Sequence, residues 1–167
     1  YVDDVYGMNF SDEKGPKPNG LDDNGHGTHC AGTIGVRGDD GKGIVGVNWR
    51  AKILPVKFLD SSGSGTLEAA ILSIDYATKM GAKIMNNSWG GGGESQTLKE
   101  AIERSHQAGA LFVAAAGNDG SDNDSTPRYP ASYDVPNILV VAAIDNQGTL
   151  ANFSNYGRKS VHIAAPG

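Results

Sequence analysis

A single cysteine, Cys30, leaves the 167-residue chain without any intrachain disulfide framework. That absence leaves the compartment open, because a chain of this length buries about two thirds of its unfolded surface and can build a core without staples. No apolar run reaches the ~18 residues that a membrane-crossing helix needs. A positive balance is also lacking. Fourteen basic residues face 19 acidic ones, a net charge of −5, which argues against a nucleic-acid partner. Charged residues are 20% of the chain and are scattered rather than blocked, which argues against disorder. There is no internal repeat at the periods of solenoids and no low-complexity tail. No signal peptide stands at Tyr1, the chain opens without Met, and it ends on Pro166-Gly167, a turn signal. Both ends are therefore expected to be cuts through a larger protein.

Glycine is what the chain has in excess. There are 24, about twice the usual ~7% share. They are not periodic, which excludes a collagen helix. They cluster between apolar runs, where tight turns need them.

The first 25 residues read as loop, crowded with Asp, Asn, Gly and Pro. No linker follows, so one domain is expected over 1–167. Thr28–Val36 is small and apolar and predicts a buried helix. Residues 52–58 predict a strand that Pro55 pushes toward an edge or an irregular ladder. Residues 65–80 place Leu67, Ala70, Ile71, Ile74, Ala77 and Thr78 on one helical face, with Gly81 as the stop. A short strand is predicted over 83–87. Ser95 opens the next helix as its N-cap, with Leu98, Ala101, Ile102 and Ser105 inside and Gly109 as the stop. Residues 110–116 and 137–144 are continuous apolar runs, predicting strands buried on both faces. This alternation predicts an α/β fold, a doubly wound parallel sheet flanked by helices in three layers and incomplete at both ends. Ligands of such sheets bind beyond the carboxyl ends of the strands. Those ends carry Asn86-Asn87-Ser88-Trp89-Gly90-Gly91 and Gly117-Asn118-Asp119-Gly120.

The densest signal is Asp23-Asn24-Gly25-His26-Gly27-Thr28-His29-Cys30-Ala31-Gly32-Thr33. A histidine between two glycines at the mouth of a small-residue helix can be approached closely by a substrate. The string resembles the histidine motif of the subtilisin-like serine proteases, the subtilases (peptidase S8), in the cysteine form of their thermitase and proteinase K branches. Further blocks agree in order. Asn87-Ser88-Trp89-Gly90-Gly91 resembles the substrate-binding segment, and Ala114-Ala115-Ala116-Gly117-Asn118 the oxyanion-hole segment. Tyr129-Pro130-Ala131, Phe153-Ser154-Asn155-Tyr156-Gly157 and Ala165-Pro166-Gly167 resemble family landmarks. The resemblance covers essentially the whole chain.

The resemblance implies a serine endopeptidase acting on polypeptides. It gives His26 the role of general base and Asn118 that of side-chain oxyanion donor. Ser88, Trp89 and Gly90 pair with the substrate backbone. Ala115 and Gly117, with Gly90, line the pocket for the residue before the scissile bond. It also implies a secreted protein with an N-terminal propeptide in the parent, no nucleic-acid or membrane partner, and no cofactor for catalysis. Structural calcium is common in the family. Among the loop carboxylates Asp3, Asp4, Asp12, Asp22 and Asp23, it points to Asp12 and Asp22 as candidate ligands. Arg128, before a Tyr129-Pro130 bond that is cis in relatives, falls in the family toward the base of the pocket, where Asp119 is near enough to neutralise it; the competing and favoured reading turns Arg128 to solvent.

Competing readings of the same residues are weaker. His26-x-x-His29 with Cys30 suggests zinc, but no further ligands stand at metal spacing. Cys30 as a nucleophile rests on adjacency alone. Gly41-Lys42-Gly43-Ile44-Val45-Gly46 matches the dinucleotide fingerprint letter for letter, without the preceding strand and following helix that the fingerprint needs. The family triad runs Asp, His, Ser. Its Asp and Ser motifs fall before Tyr1 and after Gly167, and Asp3 and Asp4 lack the glycine turn that the Asp requires. Residues 1–167 alone are thus expected to be inactive and poorly stable. The alternative reading is an inactive subtilase-fold parent serving as a binding or scaffold domain.

Overall fold

The computed structural model describes residues 6–12 and 14–167. The chain gathers into two compact units, Tyr1–Ser73 and Ile74–Gly167, and the division falls inside helix α2 (Leu67–Lys79).

The first unit contains β1 (Met8–Asn9), α1 (His26–Gly35) and β2 (Val56–Lys57). β1 and β2 pair in parallel, Met8 opposite Val56 and Asn9 opposite Lys57. The connection between them carries α1, as a parallel pair requires a crossover. The strand expected over 52–58 contracts to two residues. Pro55 has no amide hydrogen to give the ladder, and its carbonyl accepts from the Met8 amide at 3.1 Å. β1 is too short for any period to betray it. Helix α1 starts two residues before the expected Thr28, and no residue of it is buried, which corrects the expectation of a buried helix. Gly, Thr, Cys and Ala offer little apolar area, and among the described residues the sheet of this unit has two strands to set against it.

Helix α2 buries Ala70, Ile74 and Ala77 of the predicted stripe and adds Ala69, Ser73 and Tyr76. Leu67, in the first turn, is 48% exposed. The second unit continues with β3 (Ile84–Asn87), α3 (Gln96–Gln107), β4 (Leu111–Ala115), β5 (Ile138–Ile144) and β6 (Ile163–Pro166). The four strands form one parallel sheet in the order β3-β4-β5-β6, with Met85 opposite Phe112 and Phe112 opposite Ile138. This is the predicted α/β class. β6 replaces an expected turn. Pro166 is tolerated there because it is the last residue of an edge strand.

Helix α3 follows its sequence closely. The Ser95 hydroxyl accepts from the Leu98 amide at 3.3 Å, and Leu98, Ala101, Ile102 and Ser105 are buried. Both predicted helix stops close the same way. Ala82 N–H returns to the Ala77 carbonyl behind Gly81, and Ala110 N–H to the Ser105 carbonyl behind Gly109. The core of this unit lies between α3 and one face of the sheet, where Ile102, Phe112 and Val140 are fully buried. Asn137 ties the layers by donating to the Ser105 hydroxyl at 3.0 Å and the Ala110 carbonyl at 2.9 Å.

The sheet is not buried on both faces. Burial alternates along β3, β4 and β5, and Ile84, Leu111 and Ile163 are 68%, 38% and 50% exposed. The connections from β4 to β5 and from β5 to β6 contain turns but no helix, so α3 is the only helix that a crossover of this sheet supplies. In denaturant titrations of the full-length protein, Phe112→Ala should cost about 3–5 kcal/mol through cavity formation, against about 1 kcal/mol for the lost cap in Ser95→Ala. Equal losses would contradict this division of the core.

Candidate active site

The carboxyl ends of the four parallel strands surround a hollow of ≈ 300 Å³. Ser88, Ala115, Gly117 and Asn118 all line it, so the structure brings together four of the residues singled out in the sequence. Trp89 and Gly90 do not line it. They continue the segment that leaves β3, where Trp89 Nε1 donates to Asn87 Oδ1 at 3.0 Å and Gly91 N–H to the Tyr129 carbonyl at 3.2 Å. The Asn86 amide donates to the Ser88 hydroxyl at 2.9 Å. The segment is thus fixed by its own side chains and by Tyr129, whose bond to Pro130 is cis.

Asn118 stands three residues past the end of β4. Its side chain is exposed, and among the described residues nothing engages its amide, which leaves both of its donor hydrogens for a ligand. The loop around it is, by contrast, tightly bonded from below. Asn155 Oδ1 accepts from Asp119 N–H at 2.8 Å and Ser121 N–H at 3.2 Å. Asn155 Nδ2 donates to Asn123 Oδ1 at 3.0 Å, and Asn123 Nδ2 donates to the Ala116 carbonyl at 2.8 Å. Asn155 is 0% and Asn123 2% exposed. Gly117 has φ 118°, and a Cβ there would stand 2.5 Å from Asn155 Nδ2. Only glycine fits that backbone and that contact. Sequence reasoning treats Asn155 as a landmark and passes over Asn123. Their separation of 32 residues leaves no local pattern to read.

Arg128 pairs with Asp119 at 3.1 Å, with both side chains about half exposed. The arginine therefore carries a counter-charge, and so exposed a pair contributes little to stability.

His26 lies in the first unit as the first residue of α1, with its side chain exposed. Cys30 Sγ, one turn on, is 4.0 Å from His26 Nε2. Among the described residues His26 makes no ion pair. Asp3 and Asp4 lie outside the described residues. The start of α1 is organised by Asp22. Its Oδ1 accepts from the Asn24 and Gly25 amides at 2.9 and 3.0 Å, and its Oδ2 from the Thr28 amide and hydroxyl at 2.8 and 2.7 Å. Asn24 Oδ1 accepts from His26 N–H at 3.3 Å, and Asn24 Nδ2 donates to the Ser61 carbonyl at 2.9 Å. Between them these two side chains answer the amides of Gly25, His26 and Thr28 at the helix start. The run Asp22-Asp23-Asn24-Gly25 carries this signal in the sequence, as a turn that leads into a cap.

These contacts bear on calcium. All four acceptor positions of the Asp22 carboxylate are occupied by the turn and the helix. Asp12 accepts from the Lys14 amide at 2.9 Å and pairs with the Lys17 ammonium. Among the described residues no group of three or more His, Cys, Asp or Glu side chains gathers as a metal ion would need. The Asp22 carboxylate is thus taken up by the turn and the helix, and the Asp12 carboxylate is engaged by Lys14 and Lys17.

A parallel α/β sheet with a hollow at its strand ends and an unengaged carboxamide on the rim is the arrangement in which α/β domains bind their ligands. The comparisons supply the family. The profile of the subtilase family matches residues 2–167, and the chain belongs to that family. It is 41% identical over 147 residues to subtilisin DY of Bacillus licheniformis, spanning 87% of this chain and 52% of that protein. It is 41% identical over 163 residues to thermitase of Thermoactinomyces vulgaris, spanning 98% of this chain and 55% of that protein. A solved cold-adapted subtilisin-like serine proteinase superimposes with a TM-score of 0.82 at 34% identity, covering 98% of this chain and 55% of that structure. The chain thus spans about half the length of these relatives.

The Asp22 carboxyl is held well below the usual carboxylate range, first by the Thr28 hydroxyl and then by the amides of Gly25, Asn24 and Thr28. The stability that its charge contributes is therefore present above the unfolded-state value near 4 and is lost as pH falls toward the depressed folded value. Thermal melts should show a wild-type advantage over Asp22→Asn that is level from about pH 7 to 5 and shrinks below about pH 4. An advantage that grows in acid would contradict this capping role.

Proposed function

We propose that the chain is the central part of one catalytic domain of a secreted serine endopeptidase. The observation that carries the reading is Asn118. Its free carboxamide stands on the rim of a hollow at the strand ends, within a chain whose family match runs unbroken through both compact units. In this reading a serine outside residues 1–167 attacks the scissile carbonyl. His26 takes the hydroxyl proton and later returns it to the leaving amine. An aspartate, also outside these residues, orients the imidazole.

Asn118 donates to the carbonyl oxygen as it gains negative charge, a bond that strengthens only on the way to the tetrahedral state. Ser88, Trp89 and Gly90 offer backbone groups to an extended substrate, which adds as a strand. Ala115 and Gly117 have little side chain, so the hollow keeps room for the residue before the scissile bond. The substrate is a polypeptide, and the parent carries an N-terminal propeptide. No step of this reading requires structural calcium.

The test is made on the full-length protein. A fluorophosphonate should label one serine, and His26→Ala should abolish both labelling and peptide hydrolysis. Asn118→Leu should lower kcat by about 10²–10³ with little change in KM, a magnitude established on a subtilisin and carried over here. Residues 1–167 alone should hydrolyse nothing. A full-length protein that neither labels nor cleaves would instead be a binding or scaffold domain.

A further inference from the structure

We propose that Asn155 is the positioning residue of the oxyanion site, resting on the reading of Asn118 given above. Asn118 is joined to the chain by two peptide groups, and Asn155 holds both. Its own amide N–H donates to the Gly117 carbonyl at 2.9 Å, on the peptide before Asn118. Its side-chain Oδ1 accepts from the Asp119 amide at 2.8 Å, on the peptide after it. One residue therefore fixes the backbone torsions of Asn118 from both sides.

The clamp is itself held. Asn155 Nδ2 donates to Asn123, which donates to the Ala116 carbonyl at the end of β4, so the fixed point is the sheet. The neighbouring strand-like contacts, Gly120 N–H to the Phe153 carbonyl at 2.8 Å and Tyr156 N–H to the Ser121 carbonyl at 3.1 Å, extend the same seam. The orientation of the Asn155 amide is settled by its partners, since two N–H donors face Oδ1. Asn123 and Asn155 are themselves buried, so water does not cheaply replace a partner lost between them.

Asn118 has no side-chain partner of its own among the described residues, so nothing but its backbone aims the carboxamide. An oxyanion donor must stand within a few tenths of an ångström of its working place before the reaction, and a misplacement of about 1 Å costs about 10²-fold. Asn155 touches no reacting atom in this account. Its effect passes through Asn118.

The experiment is a double-mutant cycle on the full-length protein, reading kcat and KM for wild type, Asn155→Ala, Asn118→Ala and the double variant. Asn155→Ala should lower kcat at least about tenfold with KM within about threefold, and should cost less than about threefold more once Asn118 is already alanine. The same loss in both backgrounds, or a loss confined to KM, would overturn the proposal. If Asn155→Ala does not fold, Asn123→Ala decides the matter, because it removes the acceptor that anchors Asn155 Nδ2 and leaves both Asn155 contacts to the peptides beside Asn118 in place. Its kcat should fall with KM little changed, as the Asp119 and Ser121 amides exchange faster than in wild type. An unchanged kcat while those amides exchange faster would overturn the proposal. A wild-type full-length protein without peptidase activity overturns the underlying reading instead, and is told apart because every variant is then equally silent.

Discussion

The bond network between the loop after β4 and the buried pair Asn123 and Asn155 is the constraint on which the candidate site depends. A strand that ends and turns outward leaves amides and carbonyls without ladder partners, and these must be answered inside the protein. Here the answer comes from a segment more than thirty residues further along the chain. The loop that carries Asn118 is thereby tied to the sheet by hydrogen bonds, while among the described residues the Asn118 side chain has no partner. Rigid backbone with an unengaged donor is the condition for stabilising charge that appears only in a transition state. Gly117 belongs to the same constraint, because the backbone must pass within contact of the Asn155 amide.

The histidine end is built by a different device with the same logic. Asp22 and Asn24 use short side chains to answer the amides at the start of α1, and the helix then presents His26 at its first position. In each unit a side chain singled out in the sequence stands where backbone regularity stops, and hydrogen-bonded polar side chains hold the backbone beside it. The subtilase match runs through both units.

Much of this was open to reading from the sequence, for reasons that are local. Helix α3 announces its cap, its stripe and its stop within fifteen residues, and the structure follows each. The parallel sheet is announced by apolar runs alternating with a helical period. What the sequence hides is non-local. The runs at 110–116 and 137–144 look buried on both sides because hydrophobicity reports what a strand can bury, not what covers it in residues 6–167. The stretch at 52–58 is apolar enough for a strand, but the missing proline amide cuts it to two residues. Asp22 looks like a cation ligand because loop carboxylates do, and only the coordinates show its lone pairs turned to amides. Asn123 and Asn155 act as a pair across the fold, which no spacing rule reaches. The motifs that name the family were legible because their chemistry is compressed into short strings.

The central claim is that Asn118 is aimed by a prebuilt loop at the oxygen of a tetrahedral adduct. The most direct measurement is a crystal structure of the full-length protein with a peptide boronic acid, whose adduct imitates that state. The account predicts the Asn118 carboxamide about 2.7–3.1 Å from a boronate oxygen, with the Asn155 contacts unchanged and the peptide laid along Ser88–Gly90. A boronate bound away from the strand ends, or an Asn118 amide turned from it, would contradict the account.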